Sequence, residues 1–102
     1  MNCGIFVRDM NVVFERLSGG LESGLRVRLE SLKNRLVRLY RNGKVKINHS
    51  VVELVLAKHL LEAGYEVDVE RCLNGLSCDV YAVRDERILI VEVETGFIPL
   101  IV

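Results

Sequence analysis

The sequence predicts an α+β fold in which helices flank a three-stranded antiparallel sheet. Amphipathic helices are predicted over Glu22–Asn42 and Ser50–Ala63, because their apolar residues recur at spacings of three and four. Tyr65–Glu70 then alternates apolar and acidic residues, as a half-buried strand does, and Cys78–Glu94 has the composition of a β-hairpin. The order helix, helix and three antiparallel strands indicates one α+β domain.

The residues before the first of these helices admit two interpretations. Val7–Leu17 has helical spacing, and Ser18-Gly19-Gly20 would end such a helix. Cys3–Val7 is equally consistent with a strand. The pattern does not decide between them.

The Glu22–Asn42 helix combines a leucine seam with basic faces. Its leucines recur at alternating spacings of four and three: Leu25, Leu29, Leu32, Leu36 and Leu39. The seam is either part of the core or a dimer interface. The basic residues of this helix and of the segment after it are candidates for nucleic-acid binding, with a plain solvated face as the alternative: Arg26, Arg28, Lys33, Arg35, Arg38, Arg41, Lys44 and Lys46.

The net charge of zero conceals a division of the chain. Residues 1–48 hold ten Lys/Arg and four Asp/Glu, a net charge of +6, whereas residues 49–102 carry −6. This asymmetry indicates either a nucleic-acid contact surface on the basic half or docking of one half on the other. We therefore distinguish a basic N-terminal helical region, 1–47, from an αβββ core, 48–102.

Glu53 has two interpretations in the second helix. Ser50-Val51-Val52-Glu53 fits a capping box, in which Ser50 is the N-cap and Glu53 bonds back to it. Alternatively, Glu53 begins the apolar stripe of this helix and projects toward the sheet. Gly64 is expected at the C′ position. His49 and His59 are expected to be surface or core histidines, since no second His or Cys stands at metal spacing.

The hairpin brings acidic residues together. A loop Arg71–Ser77, with a turn at Asn74-Gly75, leads into it. With Asp85-Glu86 as the two loop residues, Arg84 pairs with Arg87 and Asp79 lies opposite Glu92. Alternation then places three carboxylates at one end of one face: Asp79, Glu92 and Glu94.

Carboxylates crowded in this way indicate a divalent cation, because like charges on opposed strand positions destabilise the pair. Mg²⁺, or Mn²⁺ in its place, takes oxygen ligands from one or two carboxylates plus waters and phosphates. The alternative is a solvated strand end whose charges merely cap the hairpin.

These residues resemble the signature of the PD-(D/E)XK nucleases, the restriction-endonuclease-like superfamily that includes archaeal Holliday junction resolvases. The order of a helix bearing Glu53, a strand bearing Asp79 and a partner strand bearing Glu92-Val93-Glu94 is similar to the family pattern over residues 50–94. Where the family usually has Lys, this chain has Glu94. Some restriction enzymes of the superfamily also have Glu there.

The resemblance implies a metal-dependent DNA endonuclease with a truncated restriction-endonuclease-like core. Asp79 and Glu92 would hold Mg²⁺ or Mn²⁺, Glu53 would assist directly or through water, and Glu94 would orient the attacking water or hold a second ion. Because Lys is missing, the alternative is a catalytically inactive relative that dimerises and binds nucleic acid or another protein.

Assembly and location follow from apolar patterning. One sheet face is expected to take the Ser50–Ala63 helix. The other, which bears Val80 and Ala82, would be covered by the Glu22–Asn42 helix or by a second subunit, and we expect a homodimer.

No apolar run is long enough to span a membrane, and three cysteines without a C-x-x-C spacing indicate reduced thiols, with a Cys72–Cys78 bridge left open. A cytoplasmic protein is expected.

Overall fold

The computed structural model describes residues 9–94, and within them three helices precede a three-stranded antiparallel sheet. The elements are α1 (Met10–Ser18), α2 (Ser23–Arg41), α3 (Ile47–Glu62), β1 (Glu66–Leu73), β2 (Leu76–Arg84) and β3 (Arg87–Val91). The strand order is β1-β2-β3. The predicted α+β class and the helix-flanked three-stranded sheet are confirmed. The alternative strand at Cys3–Val7 lies outside the described residues.

Helix α1 corresponds to the helical interpretation of the N-terminal region. Asp9 is its N-cap, and the Asp9 side chain accepts a hydrogen bond of 2.9 Å from the backbone N–H of Asn11. The helix ends before Gly19-Gly20 and buries Met10 and Phe14. These two side chains attach α1 to the rest of the core.

The leucine seam of α2 lies in the core of this chain. Leu29, Leu32 and Leu36 are buried in a single apolar cluster, and Leu25 packs against that cluster. The other buried members come from α1, α3 and β1: Met10, Phe14, Leu54, Ala57, Leu61 and Val69. Full burial of a leucine contributes about 1.5–3 kcal/mol. The seam is therefore core, and the interpretation of it as a dimer interface is wrong.

Helix α3 begins three residues earlier than predicted. It starts at Ile47 with Lys46 as N-cap, so Ser50 lies inside the helix and its hydroxyl donates to the Lys46 carbonyl at 3.2 Å. The capping box is therefore wrong. Ile47 packs against the core cluster, and this burial extends the helix beyond the local capping signal. Gly64, with φ of 92°, follows the C-cap Ala63 as expected.

The hairpin register is as predicted up to the end of β3 at Val91, but the hairpin does not extend to Glu94 as expected. The pairs run from Arg84 with Arg87 to Val80 with Val91, and Asp85 occupies the turn with φ of 55°. On the other side of β2, the predicted loop Arg71–Ser77 contracts to Asn74-Gly75, because β1 and β2 continue up to this turn.

The helices cover the face of the sheet that bears Val80 and Ala82. The prediction placed α3 on the other face and is wrong on this point. Val69, Val80 and Ala82 are fully buried under the helices, whereas Ile88 and Ile90 on the other face are 58% and 56% exposed. The register between β1 and β2 explains the error. It places Glu66 opposite Val83 and Asp68 opposite Tyr81, so the exposed face carries acids while the other presents small apolar side chains that a helix can approach.

Among the residues described, no helix combines the length and the apolar character needed to cross a membrane.

Candidate metal centre

Three elements meet where the ladder between β1 and β2 is interrupted, and they position four ionisable side chains. His49 lies in the first turn of α3 and Glu53 one turn later, so the two share a face of that helix. Glu70 comes from β1 and Asp79 from β2, on neighbouring strands. One ligand atom from each of these four residues lies within 4.8 Å of the others.

Strand β1 is distorted where it enters this site. Glu70 has φ of 51°, a left-handed conformation that is uncommon for a residue with a Cβ atom and costs on the order of 1–3 kcal/mol. The ladder between β1 and β2 pairs Val69 with Val80 and Arg71 with Cys78, but no pairing joins Glu70 to Asp79 between them. Both side chains instead approach His49 of α3.

Arg35 of α2 holds this distortion in place. Its guanidinium donates two hydrogen bonds of 2.9 Å, one to the carbonyl of Val69 and one to the carbonyl of Glu70. Since these carbonyls flank the distorted residue, Arg35 satisfies backbone acceptors near the interrupted position. The strained backbone at Glu70 is thus supported by another element of the fold.

The imidazole of His49 lies at the centre of the acids. Its Nε2 atom is 2.8 Å from Glu53 Oε2, 3.3 Å from Asp79 Oδ2 and 3.6 Å from Glu70 Oε2. The shortest of these contacts is not an aligned hydrogen bond, because both oxygens of Glu53 lack a hydrogen-bond partner. One nitrogen therefore faces three carboxylates without satisfying them.

Glu53 is the most unusual member of the group. It is 0% exposed, and Glu53 Oε1, Glu53 Oε2 and Glu70 Oε2 are buried without a hydrogen-bond partner among residues 9–94. A buried, unsatisfied charged group costs more than the roughly 1–3 kcal/mol of a neutral one. Either a proton or a cation is needed to make this arrangement stable.

The pKa of Glu53 shows how strongly the site disfavours its charge. Burial is the main cause that raises this pKa from 4.5 to about 10, and the hydrogen bond that a protonated Glu53 can form with Glu70 and the charges of Glu70, Asp79 and Glu92 add to it. Ionised Glu53 and Glu70 are both acceptors, so they bond to each other only when one carries a proton. The site therefore favours a proton on Glu53 until a cation replaces it.

Asp79 is oriented by the end of the hairpin. The backbone N–H of Val93 donates to Asp79 Oδ2 at 2.6 Å, which ties the residues after β3 to the start of β2. Hydrogen bonds to a carboxylate are shorter and stronger than neutral ones. The predicted pair of Asp79 with Glu92 is not part of the ladder, which ends at Val80 with Val91; Asp79 instead contacts the backbone of Val93.

Of the four predicted catalytic residues, two belong to the cluster and two lie outside it. Glu53 and Asp79 belong to the cluster. Glu92 and Glu94 are exposed. Glu92 is still within electrostatic reach, because its charge raises the pKa of Glu53 and also that of Cys78, for which burial is the larger cause. Glu94 lines an open cleft together with His49 and Asp79.

Sequence reasoning missed His49 and Glu70. The second helix was predicted to start at Ser50, which left His49 outside it. The i, i+4 spacing that puts His49 and Glu53 on one face of the helix was therefore not recognised. Glu70 had a usable signal: a two-residue loop at Asn74-Gly75 places Glu70 opposite Asp79, by the same rule that was applied at Asp85-Glu86.

The predicted nucleic-acid-binding residues fall into two groups. Arg26, Lys33 and Arg35 are engaged within the chain: Arg26 bonds Ser18 and lies over the ring of Phe14, and Lys33 is 8% exposed and bonds Asn11. The others are exposed to solvent: Arg28, Arg38, Arg41, Lys44 and Lys46.

No family model, curated protein or solved structure matches this chain. What the site can do must therefore be argued from its own geometry.

The donor set fits a divalent cation. Three carboxylates are the oxygen ligands that Mg²⁺ and Mn²⁺ prefer, and an imidazole nitrogen favours a transition metal over Mg²⁺. A cation would partner the buried oxygens of Glu53 and Glu70 and would remove the need for a proton on Glu53. Of the two ions predicted, Mn²⁺ suits this mixed set better.

Proposed function

We propose that this protein is a metal-dependent nuclease that hydrolyses phosphodiester bonds in DNA. The observation that carries the proposal is the fully buried Glu53, whose two oxygens lack partners and which converges with His49, Glu70 and Asp79. A fully buried carboxyl group that faces two further acids and an imidazole is costly in a purely structural role. Metal binding supplies a reason for it.

Each residue has a role in this proposal. Bound at the cluster, Mg²⁺ or Mn²⁺ would activate water and stabilise charge on the phosphate. Asp79 is held for ligation by the N–H of Val93, and Glu53 provides an anion from which water is excluded. Glu94, which is exposed in the same cleft, would accept a proton from the attacking water, while Glu92 contributes negative charge from outside the cluster.

The resemblance to the PD-(D/E)XK nucleases supports the same proposal. The chain places a helical glutamate, Glu53, against a strand aspartate, Asp79, and continues into a strand followed by Glu92-Val93-Glu94. This order is the one that suggested the family. His49 and Glu70 are additions that the resemblance did not supply.

DNA is the proposed partner, and a smaller surface than expected is available to bind it. The exposed cations Arg28, Arg38, Arg41, Lys44 and Lys46 remain for phosphate contact. We propose a cytoplasmic location. The free thiols of Cys72 and Cys78 support it, because reducing compartments keep thiols unpaired.

A cleavage assay tests the proposal. Branched and linear DNA are incubated with the wild-type protein and Mn²⁺ or Mg²⁺, and we expect nicking that EDTA abolishes. Asp79→Asn is expected to bind DNA without cutting it, whereas Asp85→Asn, the same change in the hairpin turn, is expected to cut normally. Intact DNA with both metals in the wild type would show that the protein is not a nuclease.

A second candidate function is a catalytically inactive, dimeric binding module. Two observations favour it: Glu94 stands where the family has Lys, and the edge strand β3 exposes Ile88, Leu89 and Ile90. An apolar edge strand with unpaired backbone groups is a template for pairing with another chain. The homodimer is therefore now proposed to form through β3 instead of through the leucine seam. Such a dimer is also compatible with the nuclease.

A further inference from the structure

We propose that Lys44 and Lys46, in the segment between α2 and α3, bind a phosphate group of the substrate next to the metal centre. The inference rests on the proposed function, because it concerns the ligand of the same site. It assigns to two loop residues a role distinct from general attraction of DNA.

Both lysines line the cleft that opens onto the cluster. This cleft has a volume of about 600 Å³. Its lining combines the two lysines with metal-centre residues and with Glu94: Gly43, Lys44, Val45, Lys46, His49, Glu70, Asp79, Val93 and Glu94. A ligand in the cleft therefore lies near two primary amines and near the proposed metal ligands at once.

The start of α3 adds a second source of positive potential. Lys46 is the N-cap, its side chain makes no capping hydrogen bond, and the first turn of the helix contains no acidic residue. The first backbone N–H groups of a helix have no partner within the helix, and the helix dipole places partial positive charge there. Uncapped helix starts of this kind bind phosphate groups.

The segment is held in a defined conformation. The N–H of Gly43 donates to the Tyr40 carbonyl at 3.1 Å, and the N–H of Lys44 donates to the Leu39 carbonyl at 2.9 Å. Gly43 itself has φ of 73°, a conformation that glycine adopts without strain. The backbone that carries the lysines is thus fixed to the end of α2.

The acidic residues of the cleft, Glu94 among them, are the reason why a phosphate ligand needs Lys44 and Lys46. A phosphodiester that enters the cleft approaches three acidic residues that line it, Glu70, Asp79 and Glu94. Repulsion between these acids and the phosphate must be offset by positive charge beyond that of one metal ion. Of the residues that line this cleft, Lys44 and Lys46 supply it.

Phosphate binding to the Mn²⁺-loaded protein tests the inference. With protein in excess over Mn²⁺, inorganic phosphate is titrated and its ³¹P relaxation is followed, since bound Mn²⁺ relaxes a nearby phosphorus nucleus. We expect saturable relaxation in the wild type. In Lys44→Ala/Lys46→Ala we expect phosphate affinity to fall about tenfold or more, the loss that follows from removing charge-assisted hydrogen bonds, with Mn²⁺ affinity unchanged.

Two further variants fix the interpretation. Lys58→Ala is the matched control, because Lys58 lies on α3 but pairs with Glu62 at 3.2 Å, and it is expected to leave phosphate binding unchanged. Lys44→Arg/Lys46→Arg is expected to retain binding. Absent phosphate binding in the Mn²⁺-loaded wild type, or equal binding by wild type and the alanine variant, overturns this inference while the metal centre stands. Failure of the wild type to bind Mn²⁺ overturns the proposed function and this inference with it.

Discussion

At the scale of single residues, Glu53 is the clearest sign that the site does more than hold the fold together. Burial and, to a smaller extent, the neighbouring acids raise its pKa to about 10, so in the metal-free protein it carries a proton at neutral pH. A leucine or methionine would fill a buried position without this cost. Under the proposed function, a cation that takes the place of the proton would explain why the carboxyl is retained.

The pKa of Glu53 predicts how the stability of the metal-free protein changes with pH. A group whose pKa is raised on folding gives its full stabilisation below the unfolded value, here 4.5, and loses it as pH rises toward about 10. The melting temperature in EDTA is therefore expected to fall from pH 5 to pH 9. In Glu53→Gln, which has no proton to lose, the fall is expected to be smaller. Parallel pH profiles for the two proteins in thermal unfolding would contradict the pKa assigned to Glu53.

At the scale of elements, the contact between α2 and β1 shapes the site. Arg35 was predicted to contact nucleic acid, but its guanidinium instead bonds the Val69 and Glu70 carbonyls. It therefore connects α2 to the distorted part of β1. Because Glu70 is a member of the cluster, we expect a change at Arg35 to alter the cluster through the backbone of β1.

Replacement of Arg35 should weaken both the fold and the site. Arg35→Ala is expected to lower the free energy of unfolding by about 1.5–3 kcal/mol, the range for hydrogen bonds that involve a charged group, and to weaken Mn²⁺ binding. Arg38→Ala, an exposed arginine three residues later, is the matched control and should change neither. Urea unfolding and metal titration measure the two effects. Equal stability of the two variants would show that Arg35 does not support β1.

The elements also show how far the sequence could be read. The hairpin register followed from Asp85-Glu86 because a two-residue loop fixes every later pair. The start of α3 did not follow, because Ser50 gave a strong local capping signal while the burial of Ile47 against the core is a tertiary effect. The conformation of Glu70 had no local signal either, since it depends on Arg35 from a distant helix.

At the scale of the whole molecule, the charge division has a partly internal explanation. Of the basic residues in the N-terminal half, Arg26, Lys33 and Arg35 bond partners within the chain, so part of the +6 charge is engaged internally. The leucine seam is likewise internal. Within residues 9–94, the surfaces that we propose for contact with other molecules are the cleft, the exposed cations around it and β3.

The β3 edge predicts the mode of assembly. We expect a homodimer at micromolar concentration in which two copies of β3 pair and bring their exposed isoleucines together. Ile88→Thr/Ile90→Thr is expected to yield a monomer without loss of the fold, because both side chains are more than half exposed. Val27→Thr, at a site 64% exposed on α2, is the control. Sedimentation that shows a wild-type monomer at every concentration would exclude this dimer.

The metal centre itself is tested most directly by calorimetric titration with Mn²⁺. The account predicts saturable binding to the wild type that is tighter than the binding of Mg²⁺, because His49 adds a nitrogen ligand that Mg²⁺ does not favour. Asp79→Asn removes one carboxylate and is expected to abolish the binding, while Asp85→Asn at the exposed turn is expected to preserve it. Equal Mn²⁺ binding by the wild type and Asp79→Asn, or none by the wild type, would contradict the assignment of a metal to His49, Glu53, Glu70 and Asp79.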